Sequence, residues 1–290
     1  MAGFDDRYWQ SADGLKLHYR DYAGGDDRPP ILCIPGLTRN ARDFEEVAAR
    51  LAGVWRVLAV DLRGRGDSDY AKDPATYNPL TYVDDVLGLI DALSLARVIA
   101  FGTSLGGLVT MLLAARAPGR LAGALLNDVG PEIDPAGLAR IRSYVGKSSS
   151  FPTWVHAARA VAEANADVYP RFELSDWIAM AKRLYYVNNA GRIVLDYDMK
   201  IAEPFREPGG EPTPDMWPTL QAMSDVPALI VRGARSDVLS AATAERMAKS
   251  LPLAELITVA DVGHTPTLSE PDVVAAIDRL LMRIKEPATA

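Results

Sequence analysis

The segment Gly102-Thr103-Ser104-Leu105-Gly106 places a serine between two glycines, after the apolar run RVIAFGT and before LGGLVTMLLAARA. The first run predicts a strand and the second a helix, so Ser104 sits on a sharp strand-to-helix turn. There a hydroxyl projects outward, and the glycines keep side chains out of the neighbouring backbone. The helix also turns its positive N-terminal end towards the serine. A serine hydroxyl is a weak nucleophile near neutral pH and needs a base, normally a histidine oriented by a carboxylate.

The chain has three histidines. His18, in LKLHYRDY, falls on the polar face of an opening strand and is expected to be solvated. His156, in TWVHAARA, reads as a packed or exposed helical residue. His264, in DVGHTPTLSEP, follows the run ELITVA, and loops after the carboxyl ends of parallel strands share one rim with the nucleophile turn. His264 is therefore the predicted base, and activity is expected to fall on acidification because the imidazole must be neutral to accept a proton. For the carboxylate, Asp237 in RGARSDVLS is favoured, because it precedes His264 in the chain order Ser, Asp, His. Asp128, at the end of LAGALLNDV, is its competitor and is assigned to the junction with the segment that follows. The predicted triad is Ser104, His264 and Asp237.

Acyl transfer also requires donors for a developing oxyanion. The backbone N–H of Leu105, next after the serine, is one candidate, and that of Leu37, directly after the Pro35-Gly36 turn in IPGLTRN, is the other. Thr38, Arg39 and Asn40 read as polar rim residues, with a helix N-cap an equal role for Thr38 or Asn40.

Short apolar runs alternate with helical patterns on both sides of residues 131–218. That rhythm predicts an α/β fold with a mostly parallel central sheet flanked by helices, formed by residues 1–130 and 219–290. The stretch 131–218 loses the rhythm and carries helical patterns such as WVHAARAVAEANA, so it is read as an inserted helical cap. Its aromatics Trp154, Trp177, Tyr185, Tyr186 and Trp217 are candidates for lining an apolar substrate pocket. The five residues from Glu286 are expected to fray.

Of 290 residues, 49% are hydrophobic and 24% charged, near the globular average, and the formal charge of −7 is spread without a Lys/Arg block. Nucleic acid and membrane partners are disfavoured, and a small-molecule substrate with an apolar acyl or alcohol part is expected. No secretory pattern or membrane-spanning run is seen, which makes a cytoplasmic monomer or homodimer the expectation. The lone Cys33, in PPILCIPG, reads as a buried strand residue. No metal-ligand cluster is visible, and the chemistry calls for no cofactor.

Taken in order, PGLTRN, DLRGRGDSD, FGTSLGG, the insertion, RGARSD and DVGHTP resemble the α/β-hydrolase superfamily, in its branch of serine esterases with a helical cap. The resemblance implies Ser104 as nucleophile, Asp237 and His264 as its relay partners, and Leu37 and Leu105 as oxyanion donors. The chain has Pro35-Gly36 where the family commonly has His-Gly. DLRGRGDSD resembles a structural loop, so Asp61, Arg63 and Asp67 are expected to pair internally. Relatives that open epoxides or remove halide use an aspartate nucleophile, which Ser104 disfavours. The resulting expectation is a carboxylesterase acting on small or medium esters. A lactonase, aminopeptidase or carbon–carbon bond hydrolase using the same triad, or a non-catalytic small-molecule receptor, stand as alternatives.

Overall fold

The computed structural model describes residues 3–206 and 215–284. The chain opens with a hairpin of β1 (Asp5–Gln10) and β2 (Lys16–Tyr22). Strand and helix then alternate through β3 (Ile31–Ile34), α1 (Glu45–Leu51), β4 (Val57–Val60), α2 (Pro79–Ala92), β5 (Val98–Thr103), α3 (Leu105–Arg116) and β6 (Leu121–Asn127). After β6 the chain leaves this pattern for α4 (Pro135–Tyr144), β7 (Ser150–Phe151), α5 (Trp154–Asn165), α6 (Leu174–Leu184), β8 (Tyr185–Val187), β9 (Ile193–Leu195), α7 (Glu203–Arg206) and α8 (Trp217–Gln221). It returns through β10 (Ala228–Gly233), α9 (Ala241–Ser250), β11 (Ala254–Val259) and α10 (Pro271–Arg283).

Eight strands form one sheet in the order β1-β2-β4-β3-β5-β6-β10-β11, antiparallel at the β1-β2-β4 edge and parallel across the rest. The central strands are buried along their whole length, which explains why ILCI, VLAV and ALLN read as continuous apolar runs rather than alternating ones. Alternation persists in where they point. Leu32 and Ile34 of β3 join the core under α2, α3 and α9, whereas Ile31 and Cys33 join the core under α1 and α10. Cys33 is fully buried, and that burial pushes its thiol pKa up. The start of α2 is set locally: Asn78 accepts a hydrogen bond from the Thr81 N–H, and Pro79 opens the helix. The α/β class and mostly parallel sheet expected from the sequence are the observed architecture.

The opening strand departs from expectation because the loop after β4 packs on its polar face while β1 pairs along its free edge. His18 is not solvated but fully buried, with Nδ1 2.7 Å from Asp61 Oδ2 and Nε2 2.9 Å from Asp6 Oδ1 of β1. Asp6, His18 and Asp67 bring ligand-type atoms within 4.8 Å of one another, a cluster assembled from the hairpin and the loop after β4. In the DLRGRGDSD loop Asp61 and Arg63 pair internally, whereas the Asp67 side chain is exposed and only its amide donates to Asp61 among the described residues. Arg63 is forked onto Asp85 and Asp13, and Asp61 accepts from the Ala41 and Asp67 amides.

The stretch after β6 contains, beside its helices, a three-stranded antiparallel sheet, β7-β9-β8. Strands of two or three residues are too short for an alternation pattern to show in sequence. Ala157, Ala158 and Val161 of α5 and Trp177, Met180 and Ala181 of α6 form a separate apolar cluster. Helix α8 straddles the expected boundary at residue 218 and packs on α3, with Leu220 in the core of the main sheet. Residues 207–214 of that stretch and the tail from Glu286 lie outside the described residues. No helix among the described residues is long and apolar enough to cross a membrane.

Candidate active site

Ser104 follows β5 directly and caps α3 with φ 52° and ψ −116°, a left-handed backbone that a non-glycine residue adopts only under constraint. The constraint comes from its glycine neighbours. A Cβ on Gly106 would lie 1.9 Å from the Ile34 carbonyl oxygen, and one on Gly102 would lie 2.4 Å from the Gly106 carbonyl oxygen. Only glycine lets β3, β5 and α3 approach this closely. The Ser104 amide donates to the Asn127 carbonyl (2.9 Å), tying the turn to the end of β6.

His264 lies in the loop after β11 and reaches back to the serine: Nε2 is 2.9 Å from Ser104 Oγ. Its other nitrogen, Nδ1, is 2.8 Å from Asp128 Oδ2. Asp128 immediately follows β6 in a left-handed conformation (φ 57°), which aspartate tolerates better than most residues. Its carboxylate is fully buried and fully engaged, accepting from the Gly233 amide at 2.8 Å and from the Ser236 hydroxyl at 2.6 Å as well as facing His264.

Asp237 is therefore not the partner of His264. Its carboxylate is held by Arg140 of α4 through Nε and Nη2, at 2.5 and 2.8 Å, and this guanidinium keeps the Asp237 pKa below the ordinary carboxylate value. The reason is positional. Asp128 ends the strand next to β5, under the imidazole. Asp237 lies beyond the turn after β10, from which Ser236 rather than Asp237 points inward to Asp128. The loop after β10 contributes the Ser236 hydroxyl that supports Asp128, not the carboxylate that meets His264.

The histidine loop is clamped from both sides. Asn127 Nδ2 donates to the Pro266 carbonyl (2.9 Å). From the segment between α5 and α6, the Tyr169 hydroxyl donates to the Thr265 carbonyl (2.7 Å) and the Val168 carbonyl accepts from the Gly263 amide (2.9 Å).

Leu105 follows Ser104 directly, and Leu37 borders the same cavity as the serine. Leu105 is the first residue of α3, where an amide has no acceptor within the helix, and neither its N–H nor that of Leu37 donates to a protein acceptor among the described residues. The Gly36 backbone comes close enough that a Cβ there would lie 3.7 Å from Ser104 Cβ. The Leu37 carbonyl is pinned at 2.9 Å by Nε of Arg65, a fully buried side chain that also donates to the Arg63 carbonyl and the Tyr82 hydroxyl. Asn40 caps the short turn after the Leu37 loop, accepting from the Arg42 amide and donating to the Arg183 carbonyl at the end of α6.

A cavity of about 490 Å³ opens over Ser104 and His264. Its apolar wall includes Ile141, Val161, Met180 and Leu195, and its polar wall includes Arg39, Asp43, Arg140 and Lys147. Of the five aromatics expected to line a pocket, only Tyr185 borders it. Trp177 is buried in the apolar cluster with Tyr169 and Phe172, Trp154 packs against that cluster, and Tyr186 faces solvent. Trp217 donates to Glu132 (2.6 Å) and stacks under Arg246. Sequence reasoning missed Arg140, Tyr144 and Lys147, whose spacing of four and three residues marks one face of α4 and the turn beyond it. A larger open depression of about 1140 Å³ between α1 and α10 contains none of Ser104, His264 or Asp128 in its lining.

Comparison with known proteins agrees with this architecture. Residues 31–277 match the Alpha/beta hydrolase family. The chain is 34% identical over 269 residues to the 3-hydroxybutyrate-oligomer hydrolase of Cupriavidus necator, covering 90% of each chain. It is 28% identical over 261 residues to the 2-(acetamidomethylene)succinate hydrolase of Mesorhizobium japonicum, covering 89% of this chain and 88% of that protein. A crystal structure of an alpha/beta hydrolase from Novosphingobium aromaticivorans superposes with a TM-score of 0.93 at 57% identity, over 98% of this chain and 99% of that one.

Proposed function

Because the chain belongs to the Alpha/beta hydrolase family, we propose that it cleaves carboxylic esters through an acyl-enzyme on Ser104, with His264 as general base and Asp128 as the carboxylate that orients it. The observation that carries this reading is the unbroken relay from Ser104 Oγ to His264 Nε2 (2.9 Å) and from His264 Nδ1 to Asp128 (2.8 Å). An ionised Asp128 can only accept, so Nδ1 carries the imidazole proton and Nε2 is left as the acceptor for the serine hydroxyl.

On attack, Ser104 Oγ bonds to the ester carbonyl carbon while its proton passes to Nε2. The imidazolium that forms is stabilised by buried Asp128, and the oxyanion is met by the Leu37 and Leu105 amides. Nε2 then returns the proton to the leaving alkoxide. Water, deprotonated by the same nitrogen, releases the acid and restores Ser104. The segment bearing α4, α5 and α6 acts as a cap that walls the cavity from solvent. An ester substrate is supported by the 34% identical relative named for hydrolysis of 3-hydroxybutyrate oligomers, which are themselves esters.

Hydrolysis of p-nitrophenyl butyrate, together with labelling by a fluorophosphonate probe, tests this reading. The wild-type chain is expected to release p-nitrophenol and to carry the label on Ser104, and Ser104→Ala to do neither. Equal activity in the two proteins would overturn it.

A further inference from the structure

Three cations and one anion line the cavity over Ser104: Arg39, Arg140 and Lys147 against Asp43. They are not equivalent. Arg39 is forked onto Asp43 at 2.5 and 2.6 Å, so that pair is internally neutral. Arg140 spends Nε and Nη2 on Asp237, which leaves Nη1 with no partner among the described residues. Lys147 has no hydrogen-bond or ion-pair partner for its ammonium among the described residues. Arg140, Tyr144 and Lys147 all border the cavity, so α4 and the turn after it present one cationic face to the space where substrate must lie. With both Arg–Asp pairs counted as neutral, the surplus charge is that of Lys147. Lys147 is exposed where it borders the cavity, so the surplus positive charge stands at the cavity's solvent edge, in a chain whose formal charge is −7.

Resting on the ester-hydrolase reading above, we propose that the substrate is an ester bearing a free carboxylate, and that Lys147, aided by the open Nη1 edge of Arg140, binds that carboxylate. A neutral ester would gain nothing from these groups. A carboxylate gains charge-assisted hydrogen bonds in a partly enclosed site, while the apolar wall of Ile141, Val161 and Leu195 takes the carbon chain. Arg140 is already steadied by Asp237, so its remaining donor is held in place before substrate arrives. Lys147 supplies the charge that selects.

The test compares kcat/KM for the linear 3-hydroxybutyrate dimer with that for the same dimer capped as its terminal carboxamide. The wild-type chain is expected to prefer the acid at least tenfold, with the preference shrinking in 0.5 M NaCl through screening. Lys147→Met is expected to bring the ratio towards one, and Lys147→Glu to invert it. A wild-type ratio near one, or a ratio that Lys147→Glu leaves unchanged, overturns the proposal. Calorimetry on the Ser104→Ala protein separates this from a failure of the ester reading. Tighter binding of the acid than of the carboxamide supports carboxylate recognition even where no turnover is seen, whereas equal binding, or none of either, overturns it.

Discussion

His264 Nδ1 lies 2.8 Å from Asp128 Oδ2, and Asp128 is fully buried at the end of the strand adjoining the one that carries Ser104. The carboxylate that orients the histidine thus sits beside the nucleophile in the sheet, 24 residues after it in sequence and 136 before His264.

Replacing that carboxylate separates the two candidate aspartates. Asp128→Asn leaves the side-chain volume intact but offers an amide that favours the wrong imidazole tautomer, and kcat is expected to fall about 10⁴-fold. Asp237→Asn loosens a half-buried ion pair with Arg140 and is expected to cost less than about tenfold in kcat on a neutral ester, with roughly 1 kcal/mol of stability lost. Steady-state kinetics on p-nitrophenyl butyrate decide the matter; a larger kcat loss in Asp237→Asn would reverse the assignment.

Two glycines in neighbouring helices should respond to alanine in opposite directions. At Gly106 the added methyl meets the Ile34 carbonyl oxygen at 1.9 Å, so β3 and α3 must move apart, and a loss of more than about 3 kcal/mol is expected. At Gly88, inside α2, the nearest atom would be 4.0 Å away, and the gain in helix propensity predicts up to about 1 kcal/mol of stabilisation. Urea unfolding monitored by circular dichroism measures both.

Arg65 acts on the oxyanion loop through its hydrogen bond to the Leu37 carbonyl. Arg65→Met removes that tether without touching the cavity lining. The expected result is a fall of roughly tenfold in kcat with KM little changed, since the Leu37 amide is needed chiefly as negative charge develops. A rise in KM at constant kcat would mean that the loop serves substrate binding instead.

The buried His18 makes folding stability depend on pH. Burial disfavours its charged form, but hydrogen bonds and charges from Asp61 and Asp6, with the charge of Asp67, outweigh that and raise its pKa. The only ring packed against it is Tyr8 of β1 among the described residues. A raised folded-state pKa means that this stabilisation is complete below the unfolded value of about 6.5 and is lost as pH rises through the folded value. Wild type is expected to exceed His18→Asn by roughly 2–3 kcal/mol near pH 5.5, with the gap narrowing towards pH 9. A gap that widens with pH would contradict a protonated His18.

Much of this protein was determined by its sequence. The nucleophile turn was legible because strand, glycine, serine, glycine and helix are contiguous, and their steric demands are local. The parallel sheet was legible because strands buried on both faces must be apolar throughout. His264 followed from position alone, as the only histidine in a loop at the correct end of a strand. The tertiary structure decided what depends on lateral neighbours. Which aspartate meets His264 is set by the adjacency of β5, β6 and β10, an order that no residue announces, and so Ser236 rather than Asp237 turns inward. The burial of His18 is not legible in its own strand because it depends on Asp61 and the loop after β4 packing on it and on Asp6 arriving with the edge strand β1. Of the five aromatics, Trp154, Trp177, Tyr186 and Trp217 lie away from the cavity, because large rings serve a small segment's own core or surface as readily as a ligand. The placement of Arg140 and Lys147 beside Ser104 emerges only once α4 and the turn after it border the same cavity, since the electrostatics of a site is a sum over side chains brought together from distant parts of the chain.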